Sequence, residues 1–196
     1  MENKYRKLLM DDMSQLLDLP EEDFDLIFPK LELKHMKRGR VLKDSGKPDV
    51  VSRYLCEGFI GSYTLQESKY SLSVIYRVTD TVFDERSYRT GIPSDSLLKC
   101  ISDVVFYEFT LDSERDVLER QPRLVTLAHK LSLRINERNT SVFHINKKGL
   151  EKGYEELMLH FPGLETEITN EDLGNFFRVS RRTVERFKHE FKNSKP

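Results

Sequence analysis

Tryptophan is absent from the 196 residues, and cysteine occurs only twice, at Cys56 and Cys100, with no Cys-x-x-Cys spacing. That pattern excludes a paired-cysteine zinc site, and two distant thiols cannot hold an iron–sulfur cluster. Both cysteines sit in apolar, strand-like runs, and the reading is of reduced, structural residues in a cytoplasmic protein. No run of about 18 apolar residues occurs, so no segment is expected to span a membrane. The N-terminus, MENKYRKLLMDDMSQLLDL, lacks the apolar stretch of a secretion signal and reads as an amphipathic helix of the mature protein. There is no Gly-rich phosphate loop and no nucleophile beside a base. The five histidines, His35, His129, His144, His160 and His189, show no metal-ligand spacing. Neither an enzyme nor a metal or other cofactor is expected.

What is present is enough for a core: 38% hydrophobic residues, with 12 Phe and 8 Tyr, inside a chain that is 33% charged. The net charge of −1 carries no information about partners, but its distribution does. Residues 151–177 hold seven acids against one Lys, a net of −6, whereas 178–196 hold seven Lys or Arg against two Glu, a net of +5. One sharply basic end fits a polyanion-binding tip.

Three periods divide the chain. Residues 1–30 read as helices: Leu8, Leu9, Met13, Leu16 and Leu17 make a helical stripe. A second helix is expected to begin with Pro20 as its first residue, followed by Glu21, Glu22 and Asp23. From about Leu31 to Leu111 short alternating runs broken by turns indicate an antiparallel sandwich or barrel. After Asp112 the helical period returns with a short helix ending near Pro122. A longer helix then carries Leu124, Leu127, Ala128, Leu131, Ile135, Val142 and Ile145 on one face. Such a stripe can lie on its own domain or pack against a twin in a dimer.

The densest signal is ITNEDLGNFFRVSRRTVERFKHEF. Thr169 is an N-cap, Leu173 and Phe177 form an apolar face, and Gly174 is a small residue where a second helix must come close. Val179 is an apolar plug after the turn and Ser180 caps the next helix. Val184 and Phe187 face inward, while Arg181, Arg182, Glu185 and Arg186 point away. Two short helices, a tight turn and a cationic outer face make a helix-turn-helix, whose second helix suits the major groove. Arg can pair with guanine O6 and N7. Ser180, Thr183 and the free N–H groups there suit phosphates, and Thr169 and Asn170 are grouped with this interface. Arg178 occupies the turn where positive φ favours Gly. The competing readings are an ordinary helical hairpin with a solvated basic face, and a protein-interaction module whose basic helix binds an acidic partner instead of DNA.

The order of these parts resembles the Crp/Fnr family of transcription regulators. The match is strongest from Ile168 to Phe187, departing at Arg178, where the family has Gly. Lys37-Arg38-Gly39 through Gly46, and Tyr54-Leu55-Cys56-Glu57-Gly58, are looser matches. The resemblance implies an α+β fold. Residues 1–120 would form N-terminal helices and an antiparallel β-roll of the cyclic-nucleotide-binding type. Residues 121–147 would form a dimerisation helix with Leu124, Leu127, Leu131 and Ile135 at its interface, and 148–196 a helix-turn-helix domain. It implies base reading by Arg181, Arg182 and Arg186, double-stranded DNA and a second copy of the chain as partners, and RNA polymerase as a further one. The family's effector cassette has Gly-Glu followed about ten residues later by a phosphate-pairing Arg. Here Phe83-Asp84-Glu85 replaces the pair, and Asp95, followed by Ser96, stands at the Arg position. Glu85, Asp95 and Ser96 thus mark a degenerate pocket, in which a carboxylate repels the phosphate a guanidinium would bind. Cyclic nucleotide is not expected to bind. The alternative is a sensor whose β-roll still takes a nucleotide or another small molecule, with Arg86 or Arg89 standing in.

Overall fold

The structure, a computed structural model, describes residues 2–66 and 69–194. Lys195, part of the basic end, lies outside the described residues. Helices α1 (Glu2–Leu16) and α2 (Glu21–Ile27) lead into eight strands, β1 (Glu32–Met36), β2 (Val41–Lys43), β3 (Val51–Glu57), β4 (Ile60–Gln66), β5 (Lys69–Tyr76), β6 (Thr81–Val82), β7 (Ser96–Cys100) and β8 (Val104–Thr110). A helix α3 (Glu85–Thr90) interrupts the strand region, where alternation alone gives no helix. Asp84 caps it by accepting from the Ser87 N–H at 3.1 Å. Helices α4 (Leu111–Arg120), α5 (Arg123–Lys147), α6 (Gly149–His160), α7 (Leu164–Glu167), α8 (Asn170–Phe177) and α9 (Arg181–Ser194) complete the chain. Pro20 is the N-cap of α2 in extended conformation, one position before the expected one.

The strands form two antiparallel four-stranded sheets, in the order β1-β8-β3-β6 and β2-β7-β4-β5. Side chains alternate across each strand, so successive residues serve different cores. In β3, Leu55 joins Ile60, Val82, Leu98 and Phe106 between the sheets. Its neighbours Tyr54 and Cys56 join Tyr5, Leu9, Met13, Val117, Leu124 and Leu127 on the other side of the first sheet. A third cluster binds the second sheet to the C-terminal helices: Tyr63, Leu72 and Ile75 pack with Val142, Tyr154, Leu157, Phe161, Leu173, Phe176 and Val184.

The apolar stripe of α5 is therefore spent largely inside its own chain. Leu124 and Leu127 are 3% and 6% exposed, and Leu131 packs against the same cluster. Of Leu124, Leu127, Leu131 and Ile135, expected at a dimer interface, the first three are packed within the single chain against α1, α4 and the first sheet. Ile135 is half-buried and lines a cavity with them. The apolar residues α5 leaves in solvent are Val125 at 53%, Leu133 at 50% and Phe143 at 51%.

Candidate nucleic-acid interface and ligand cassette

Helices α8 and α9 are built by local signals. The Thr169 hydroxyl accepts from the Asp172 N–H at 2.9 Å and donates to the Asp172 carboxylate at 2.8 Å, starting α8. Arg178 ends it with φ 57°, ψ 41°, the left-handed conformation that lets the chain reverse. The Ser180 hydroxyl accepts from the Thr183 N–H at 3.1 Å and starts α9. Val184 is fully buried and Val179 packs against the same cluster. Phe176, absent from the sequence-derived apolar face, is also fully buried. Asn146 of α5 donates its side-chain N–H to the Phe176 carbonyl, tying the long helix to α8.

The outer face of α9 carries Arg181, Arg182 and Arg186, all exposed, with Ser180 exposed beside them. The three arginines are not equivalent. Arg181 is paired with Glu185 at 2.7 Å and Arg186 with Glu190 at 4.0 Å, each one helical turn away. No such partner is recorded for Arg182 among the described residues. Lys188 turns inward instead, its ammonium 5.9 Å from the Tyr154 ring centre, and burial lowers its pKa. The Tyr154 hydroxyl donates to Glu165 at 2.8 Å, and Phe187 and Phe191 pack against its ring.

The helix pair is docked on the second sheet. Tyr63 of β4 is buried beneath it, and burial together with the Asp172 carboxylate raises its phenol pKa. Arg38 reaches from the β1–β2 turn and donates to the Glu167 carbonyl at 2.7 Å.

The cassette differs from its sequence reading. Glu85 and Asp95 are both exposed, and only Ser96 faces inward. Glu85 points out because it occupies the first turn of α3 while Asp84 takes the capping position. The inward groups are Lys43, Asp49, Arg53, Asp84, Ser87, Ser94 and Ser96. The Lys43 side chain is 2% exposed, and its ammonium donates to the Ser94 hydroxyl at 2.6 Å and the Ser96 carbonyl at 2.7 Å. It lies 3.9 Å from the Asp84 carboxylate, which accepts from the hydroxyls of Ser94 and, at 2.7 Å, Ser96. Burial works to raise the Asp84 pKa, but these hydroxyls, the Ser87 N–H and Lys43 outweigh it and hold it below the usual carboxylate range. Desolvation lowers the Lys43 pKa. Arg53, equally buried, pairs with Asp49 at 3.1 Å, and Asp49 also accepts from the Asp84 N–H at 2.9 Å. Besides Ser96, the sequence carried one further clue to this network: Asp84 and Ser87 have N-cap spacing. Lys43 and Arg53 gave none.

Cys56 and Cys100 are buried, with thiols pushed up by burial to about 12 and about 11. Among the described residues no group of three or more His, Cys, Asp or Glu is arranged to hold a metal ion, and no helix is long and apolar enough to cross a membrane.

No protein-family model and no curated protein matches the sequence. The fold does match solved structures. The c-di-GMP responsive global regulator CLP of Xanthomonas campestris aligns at 10% identity and a TM-score of 0.65, covering 89% of this chain and 92% of that one. A transcriptional regulator from Eubacterium rectale, assigned to the Crp/Fnr family, aligns at 16% identity and a TM-score of 0.65, covering 89% and 84%. The regulatory domain of Toxoplasma gondii PKA with cAMP aligns at 14% identity and a TM-score of 0.50 over 59% of this chain, and the chain spans 43% of that one. At these identities the likeness establishes a shared fold.

Proposed function

We propose that the chain is a sequence-specific, double-stranded-DNA-binding transcription regulator that inserts α9 into the major groove. The observation that carries this is the exposed cationic face of Arg181, Arg182 and Arg186 on a helix whose start presents Ser180. Solved structures with this fold include proteins described as transcriptional regulators, which supports the same reading. Arg182, the arginine without a recorded acidic partner, is the leading base reader, with Arg181 and Arg186 released from their glutamates on contact. Thr169, Asn170, Ser180 and Thr183 surround the phosphate path, although the Thr169 hydroxyl is already engaged with Asp172.

The regulator works as a homodimer, with two α9 helices about 34 Å apart on one side of the duplex. The surface available for pairing is the α5 face of Val125, Leu133 and Phe143, which recur at helical spacing with His129, Asn136 and Thr140. It acts without cyclic nucleotide, because Asp84 already holds the Ser94 and Ser96 hydroxyls beside Lys43. An anionic ligand there would meet that carboxylate.

Selection of duplexes from a random pool by the purified chain tests the reading. A two-fold symmetric consensus is the expected product. A pool without enrichment, or binding that tracks salt alone, overturns it. Calorimetric titration with cyclic AMP and cyclic GMP is expected to show no heat, and micromolar binding overturns the account of the cassette.

A further inference from the structure

Between the outer face of the first sheet and helices α1, α2, α4 and α5 lies a cavity of about 150 Å³. Its walls are chiefly aliphatic, with Leu9, Met13, Leu118, Leu124, Leu131 and Ile135 among them. The space opens to solvent, and a concave, mostly apolar cleft with a few polar groups has the form of a small-molecule site. Its apolar walls offer water too few partners, and a cavity of this size and lining accommodates one aromatic ring.

Its lining also includes the polar residues Ser52, Thr81, Arg89, Glu114 and Ser132. Arg89, paired with Glu114, is exposed, so the space meets solvent beside this pair. Glu114 accepts from Arg89 at 2.5 Å through one oxygen and from the Tyr88 hydroxyl at 2.7 Å through the other. A carboxylate has about four acceptor positions, which leaves room for a further donor. The Ser52 hydroxyl is committed to the Phe109 carbonyl.

We propose that this cavity binds a small, neutral, single-ring alcohol or phenol, its ring among the leucines and its hydroxyl donating to Glu114. The site adjoins the cassette segment through Phe83 and Arg89 but lies across the first sheet from the buried network of Lys43, Asp49 and Asp84: in β3, Ser52 and Tyr54 line the cavity, while Arg53 between them faces the opposite side of the sheet and pairs with Asp49. It also stands independently of DNA binding, since its test contains no DNA.

The test is a titration of the full chain, methyl-labelled at Leu and Ile, with 4-methylphenol, and in parallel with toluene. The expected result is a saturable shift of the Leu9, Leu124, Leu131 and Ile135 methyl signals at one molecule per chain. 4-Methylphenol should bind at least about tenfold more tightly than toluene, as one added hydrogen bond to a charged group provides. Ala128→Phe, which fills the cavity from α5, should abolish the shifts and keep the melting temperature at or above that of the parent chain. Absence of saturation at millimolar 4-methylphenol, shifts scattered over surface methyls, or equal affinity for toluene overturns the proposal. The parent-chain titration decides even if Ala128→Phe does not fold.

Discussion

Gly174 of α8 faces the backbone carbonyl of Val179 so closely that a β-carbon on it would lie 2.8 Å from that oxygen. The contact sets how α9 leaves the turn. Alanine would gain about 1 kcal/mol of helix propensity over glycine. Overpacking against an immovable carbonyl costs about 1–3 kcal/mol, so the clash wins. Gly174→Ala should lower the melting temperature and weaken DNA binding, measured by calorimetry and by titration of the selected duplex.

The arginines of α9 should separate by their partners. Arg182→Ala should cost about 1–3 kcal/mol at the selected site and leave folding intact. Glu185→Gln releases Arg181 from an exposed ion pair of modest strength and should tighten binding to unselected duplex by up to about fivefold. Fluorescence anisotropy at fixed salt reads both, and unchanged affinity in both variants contradicts the placement of α9 in the groove.

Two leucines six residues apart on α5, Leu127 and Leu133, should behave oppositely. Leu127→Ala removes a side chain buried in the chain's own core and should cost about 2–5 kcal/mol in urea unfolding. Leu133→Glu alters a half-exposed position, should cost little stability, and should yield monomers by sedimentation. A monomeric parent chain at tens of micromolar would end the dimer proposal.

Lys43 and Asp84 should be coupled. Asp84→Ala leaves a buried ammonium without its carboxylate and should cost about 3 kcal/mol. Adding Lys43→Met removes the orphaned charge and should restore at least half of the loss. Strictly additive losses would show that the two groups act independently.

Acidification should weaken the seam between the second sheet and α6. Burial lowers the His160 pKa below its ordinary 6.5, and Arg77 and Arg138 lower it further. The unfolded chain therefore binds the proton first, and stability falls as pH drops below about 6.5, continuing down to the folded-state value. Arg77 donates to the His160 carbonyl at this seam. His160→Gln should flatten the change in unfolding midpoint between pH 7 and 5, and an unchanged slope would remove His160 as its source.

The helix pair was legible because everything that builds it lies within twenty residues. Caps at Thr169 and Ser180, the small Gly174 and the left-handed Arg178 act through bonds to near neighbours, and local bonds leave their mark in local spacing. Alternation likewise announced a strand-rich middle and periodicity a long helix. What α5 packs against was another matter. A stripe of leucines says that a face is covered, and only the docking of α1 and α4 decided that Leu124 and Leu127 are covered by their own chain. The cassette shows the same limit more sharply. Counting along the chain pointed to Glu85, Asp95 and Ser96, yet of these only Ser96 is among the groups that meet, with Lys43, Asp49, Arg53, Asp84 and Ser94, drawn from segments some fifty residues apart. A charge buried in a low-dielectric interior is tolerated only beside its partners. Which partners those are is fixed when the two sheets close, by tertiary structure and not by spacing.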